Sequence, residues 1–247
     1  MRNIITFLIL TAAMLALPLT TQARNFVMCV GINTYSVKVG QLRVSANDAK
    51  VIKKVFQESG HSSVSIITDS AATCQAVMQM MKYTFAMAKP DDVAIFFFSG
   101  HGTEDGLLCY DDVLPNEQIL GAFKNCKAGT KMIIADACYA GKLRTDSTWR
   151  DAYSGENVIL FLSSRTDETS IETIYSNSLF TMYLERGLRG GADVNKDRTI
   201  TAREIFNFVH DGVSRDSKDT QHPVMWGKFN GKMPIIKWDN KKSIKFK

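Results

Sequence analysis

Two residues of this sequence have the types and settings that nucleophilic catalysis needs. Cys138 stands in Asp136-Ala-Cys-Tyr-Ala-Gly141, just after the short apolar run 132–135. His101 stands in Phe98-Ser-Gly-His-Gly102, after the apolar run that begins at Val93. A cysteine thiolate attacks carbonyl carbon, and a neighbouring imidazole keeps it reactive and later protonates the leaving amine. The backbone N–H groups of Cys138 and Gly102 are the expected oxyanion hole, and Gly102 lets substrate approach its amide closely. No carboxylate stands where it would orient His101, so no third catalytic member is assigned. A lone Cys or His is more often a buried thiol or a satisfied turn residue. Both here follow buried strands and are flanked by small residues, which makes that plain reading the weaker one.

For thiol and imidazole to meet, the two apolar runs must be neighbouring strands. In an open parallel sheet the chemistry gathers at the carboxyl ends of the strands. The hydrophobic pattern predicts strands at 26–31, 64–68, 132–135 and 158–162, another from Val93, and a last one at 223–226. Helices are expected from Asn47-Asp48 to Gly60 and over 73–87, 116–123, 179–188 and 201–213, with a small hairpin at 106–110. The stripe Val77, Met80, Met81 and Phe85 is expected to fill core rather than bind a partner. The polar stretch 141–157, with Lys142, Arg144 and Arg150, predicts an exposed loop. Strands alternating with helices give an α/β architecture with a mainly parallel sheet and helices on both faces. No linker or internal repeat divides the chain.

The chain has 247 residues, 45% of them hydrophobic, which suits one ordinary globular domain. Arg2, the apolar run 4–19, Pro18 and the small residues before Arg24 predict a signal peptide over residues 1–23. A membrane anchor is the rival reading of that run. Cleavage there makes the mature protein secreted or periplasmic, with no membrane association, and lowers the net charge from +5 to +4 by removing Arg2. That surplus, with no basic run interleaved with aromatics, argues against nucleic acid as a partner. Of the five cysteines, Cys29 and Cys109 lie in apolar runs and are expected to act as small buried hydrophobes. An odd number leaves at least one free thiol, and no spacing suggests zinc.

The blocks Phe98-Ser-Gly-His-Gly102 and Asp136-Ala-Cys-Tyr-Ala-Gly141 resemble those of caspase-like cysteine peptidases, nearest to the metacaspase and bacterial caspase-like branch. Weaker likeness extends through Gly31-Ile-Asn33, Asn47-Asp-Ala49, Ser163-Ser-Arg165 and Leu179-Phe180. The resemblance implies a caspase-like three-layer sandwich over 24–236, followed by a basic tail at 237–247. It implies hydrolysis of peptide bonds by Cys138 and His101, with no cofactor required. It also implies cleavage after Arg or Lys, because the residues matching the family's specificity pocket are Asp48, Ser99 and Asp136. Physics agrees: two carboxylates attract a guanidinium or ammonium and repel an acid. Two departures are visible. Tyr139 follows the Cys where metacaspases carry His, and Asp111 and Asp112 are the only close acid pair where they bind activating calcium.

A second motif is independent of the first. Residues 193–204 fit a twelve-residue EF-hand loop, with Asp193, Asn195, Asp197, Thr199, Thr201 and Glu204 as ligands for Ca2+. Arg198 stands where glycine is expected, at a position that needs positive φ. The plain alternative is a helix–helix turn in which Thr201 and Glu204 form a capping box.

The expected function is therefore an exported cysteine endopeptidase acting on peptides or proteins after Arg or Lys. Self-cleavage at Lys142, Arg144 or Arg150 is a dependent expectation. An Asp-specific enzyme of the same fold would need arginines in the pocket, for which Arg43 and Arg165 are the candidates. The other rivals are a non-catalytic caspase-like binding module and a doubly wound ligand-binding domain, the latter poorly served by Gly31-Ile-Asn-Thr-Tyr as a phosphate loop.

Overall fold

The computed structural model describes residues 23–137, 158–165, 168, 170–172, 176–227 and 230–239. The expected signal peptide, Cys138, Tyr139, Lys142, Arg144 and Arg150 lie outside the described residues. A six-stranded sheet forms the centre, in the order β2-β1-β3-β6-β7-β9. Its strands are β1 (Asn25–Gly31), β2 (Ser62–Thr68), β3 (Val93–Ser99), β6 (Thr130–Asp136), β7 (Val158–Leu162) and β9 (Val224–Trp226). The first five run parallel, and β9 pairs with β7 antiparallel. β1, β3, β6 and β7 are buried along their whole length. They read as unbroken apolar runs because helices cover both faces of a parallel sheet.

Two cores follow from this layering. Helices α2 (Cys74–Phe85) and α3 (Asn116–Lys124) pack on one face with Met28, Phe96 and Ile133. On the other face, α1 (Ser45–Ser59), α4 (Leu179–Arg186) and α5 (Ala202–Asp216) pack with Val27, Phe97 and Met132. The chain is thus the expected three-layer α/β sandwich. Val77, Met81 and Phe85 of the methionine stripe are buried and Met80 is partly so, as expected of core filling. Cys29 and Cys109 are fully buried.

Local signals explain the element ends that matter. Gly60 ends α1 in the left-handed region at φ 101°. A side chain at Gly31 would place its Cβ 2.2 Å from the Ser45 carbonyl oxygen, so only glycine lets α1 cross the end of β1 this closely. Asn33, just after β1, uses its Oδ1 to accept the Ala46 N–H at 3.1 Å and so caps α1 from outside the helix. Close crossing and remote cap together bring Asp48, in the first turn of α1, over the ends of β1 and β3.

β4 (Gly106–Leu108) and β5 (Val113–Pro115) form a hairpin that starts where expected but runs on past Tyr110, while β8 (Thr199–Thr201) pairs with β10 (Pro234–Lys237). Lys237 and Trp238, expected to begin a basic tail, belong instead to the packed domain. Trp238 is buried in the core and its Nε1–H donates to the Leu188 carbonyl at 2.8 Å.

Candidate active site

The register of the sheet sets the site. Ser99, the last residue of β3, lies opposite Asp136, the last residue of β6. The Gly100 N–H donates to the Asp136 carbonyl at 3.1 Å and extends this pairing by one residue. The segments carrying His101 and Cys138 therefore leave adjacent strands at one level. The residue before Cys138 is held fast: Ser163 Oγ lies 3.3 Å from both N and O of buried Ala137.

His101 is half-buried and gripped from three directions. Its N–H donates to Tyr35 Oη at 2.8 Å, and Tyr35 Oη donates in turn to the Ile32 carbonyl at 3.1 Å. The two rings lie 5.0 Å apart, centroid to centroid. His101 Nε2 lies 2.6 Å from the Gly40 carbonyl oxygen. A carbonyl can only accept, so Nε2 carries a proton and Nδ1 of the neutral ring keeps its lone pair. Sequence reasoning found no carboxylate to orient His101; a main-chain carbonyl does that work, and any residue type could have supplied it.

Gly102 forms a bridge with Leu107 through its neighbours: Leu108 N–H donates to the His101 carbonyl, and Thr103 N–H to the Gly106 carbonyl. The Gly102 N–H is left out of that bridge, as an oxyanion donor must be.

Asp48, Ser99 and Asp136 come together as expected, and with His101 they line one cleft. Asp48 is fully buried, and Asp136 and Ser99 nearly so. Asp48 Oδ2 accepts from Ser99 Oγ at 2.9 Å, and Oδ1 from Asn177 Nδ2 at 2.8 Å and the Ser178 N–H at 3.1 Å. Asp136 Oδ1 accepts from Ser170 Oγ at 2.6 Å, and Oδ2 from Thr181 Oγ1 at 2.8 Å and from Ser178 Oγ. Ser163 also hydrogen-bonds to Asp136, while among the described residues Ser99 Oγ is the one donor to Asp48 Oδ2.

Burial pushes both carboxyl groups above the ordinary carboxylate range, and repulsion from Asp136 adds to the shift at Asp48. Hydroxyl and amide donors offset part of it without cancelling it. The cleft therefore holds two acids that resist being charged together. A bound cation would relieve both the burial penalty and the repulsion.

The hydroxyl ring was not legible in the sequence. Ser170 lies 2.8 Å from Ser163 Oγ, and fully buried Gln221 spans the Ser163 carbonyl and the Ile171 N–H. Ser178 does carry a signal, since it caps α4 by accepting the Thr181 N–H at 2.9 Å. Neither candidate arginine lines the cleft. The Arg43 side chain is 84% exposed and lies 3.6 Å from Glu172, and that of Arg165 is 55% exposed and lies 3.9 Å from Glu168.

The second motif does join two helices, with Arg198 at φ 67° as that position requires. Its side chains turn inward. Asp193 Oδ1 and Oδ2 accept the N–H groups of Asp197 and Arg198, Asn195 Oδ1 accepts that of Asp197, and Asp197 Oδ1 that of Thr199. Glu204 Oε2 accepts from Thr201 N at 2.9 Å and Thr201 Oγ1 at 2.7 Å, which completes the capping box. Among the described residues no three acidic, His or Cys side chains converge on one point where a metal would sit.

A family model described as "Caspase domain" matches residues 24–233. Caspase-1 from Spodoptera frugiperda superposes with a TM-score of 0.68 at 15% identity, covering 89% of this chain and 92% of that one. A protein from Geobacter sulfurreducens superposes with a TM-score of 0.67 at 14% identity, covering 87% of this chain and 100% of that one. At those identities the likeness concerns the fold. No curated protein matches the chain.

Proposed function

The chain belongs to the caspase-domain family, a family of cysteine peptidases, and we propose that it is an exported endopeptidase that cuts after Arg or Lys. The observation that carries the specificity is the buried pair Asp48 and Asp136, which line one cleft with His101. A guanidinium offers five N–H donors and a permanent charge, which suits two such acceptors. An aspartate side chain would add a further negative charge to a cleft that Asp48, Asp136 and Glu172 already line.

In this reading the Cys138 thiolate attacks the scissile carbonyl carbon. The oxyanion is held by the N–H groups of Gly102 and Cys138. His101 takes the thiol proton on Nδ1 and delivers it to the leaving amine, while the Gly40 carbonyl steadies the imidazolium through Nε2. Water then hydrolyses the thioester. Export rests on residues 1–23, and self-processing on the basic residues after Cys138. Calcium held by 193–204 would tie α4 to α5, and no catalytic step runs through it.

Fluorogenic peptides with Arg, Lys or Asp at the scissile position test the proposal on the wild type and Cys138→Ala. Cleavage after Arg or Lys that vanishes in Cys138→Ala supports it. A preference for Asp, or activity that survives the substitution, overturns it.

A further inference from the structure

We propose that Cys74 and Cys109 form a disulfide bond in the exported protein, pinning the start of α2 to the end of β4. Neither thiol has a part in the cleft. Cys74 opens α2 and is half-buried; Cys109 follows β4 and is fully buried. One oxygen gathers both residues: the Asp112 carbonyl accepts from Cys74 Sγ at 3.3 Å and from the Cys109 N–H at 2.8 Å. The Tyr110 N–H donates to the Ala72 carbonyl at 2.9 Å, which holds the two segments together at the main chain. Both residues are free thiols in this structure, and the shared Asp112 carbonyl holds Cys74 Sγ close to the Cys109 main chain. Cys29 packs in the core on the opposite face of the sheet.

The bond forms by exchange with a disulfide-donating oxidant, RSSR. The half-buried Cys74 thiolate attacks one sulfur of RSSR and expels RS⁻. The Cys109 thiolate then attacks Cys74 Sγ, closes the bond and expels a second RS⁻. Two cysteines are oxidised, RSSR is reduced to two thiols, and the two cysteine protons pass to the departing thiolates. Burial raises both thiols, and Asp111 and Asp112 raise them further, so neither is a stabilised thiolate that would favour the reduced pair. The crosslink closes a loop of about 35 residues. It also fixes Tyr110, whose carbonyl accepts both the N–H and the Oγ–H of Ser36, at the root of the loop that carries Gly40.

The test uses the full mature chain with Cys138→Ala, made reduced in the cytoplasm, so neither peptidase activity nor export affects the outcome. The protein is incubated with oxidised glutathione and a disulfide isomerase, then alkylated in denaturant and digested. A Cys74–Cys109 linked peptide, lighter by two hydrogens than the separate peptides, is expected. Reduction should then lower Tm by roughly 5–15 °C. The same reduction should leave Tm unmoved in Cys74→Ser. Full alkylation of both cysteines after oxidation, or a crosslink from either one to a different cysteine, overturns the proposal.

Discussion

Two acidic clusters in this molecule differ in how the chain assembles them and in what surrounds them. Asp48 and Asp136 are buried, come from different elements, and are held by side chains from a third region of the chain. Asp193, Asp197 and Glu204 lie within twelve residues, and their carboxylates satisfy the backbone and side chains of their own loop. A carboxylate becomes a recognition group when it is desolvated and has a lone pair to spare. One that caps its own turn shapes the chain instead. The first cluster stores unfavourable charge that a cationic side chain would relieve, whereas the second satisfies donors of its own loop.

The sharpest way to break this contrast is Asp48→Asn. The change removes one of two paired charges but keeps acceptors for Asn177 and Ser178. Cleavage after Arg should fall by about 10²–10³-fold in kcat/KM. The melting temperature at neutral pH should rise, because the repulsion with Asp136 is gone. A lower Tm with unchanged kcat/KM would reverse the roles assigned to the two clusters.

The pH dependence sharpens the same point. The folded pKa values of Asp48 and Asp136 lie above their unfolded values, so the folded state binds more protons in the window between them. Stability attributable to the pocket should therefore be greatest at acidic pH and fall as pH rises through that window. Affinity for an arginyl substrate should move the opposite way, since the pocket must be ionised to hold it. Denaturant melts and KM measured across pH check the two slopes, and Asp48→Asn should flatten both.

The smallest expected effect lies in the second cluster. Thr201→Ala removes the capping box of α5 and should cost about 1 kcal/mol of stability. The value of kcat/KM after Arg should stay at the wild-type level, as checked by urea melts beside the peptide assay.

Legible in the sequence were a mainly parallel sheet with helices on both faces, the strands that lead to His101 and Asp136, and the acids that line the cleft, because these rest on apolar runs and a few distinctive residue types. The groups that tune the site were hidden for physical reasons. Ser170, Ser178 and Thr181 reach Asp136 from 34 to 45 positions away, and serine and threonine occur throughout the chain. The Gly40 carbonyl that orients His101 has no residue type at all. Tyr35 stood in a loop with nothing in its spacing to show that its hydroxyl would hold the His101 backbone. At the C-terminal end, Lys237 and its basic neighbours mask Trp238, whose indole belongs to the core.

A mass measurement tests the central claim most directly. The mature protein is treated with a peptidyl acyloxymethyl ketone carrying Arg at the terminal position, and in parallel with its Asp counterpart. One adduct, on Cys138, is expected from the Arg probe, slowed in both Asp48→Asn and His101→Ala. Faster labelling by the Asp probe, or an adduct on any other residue, would contradict it.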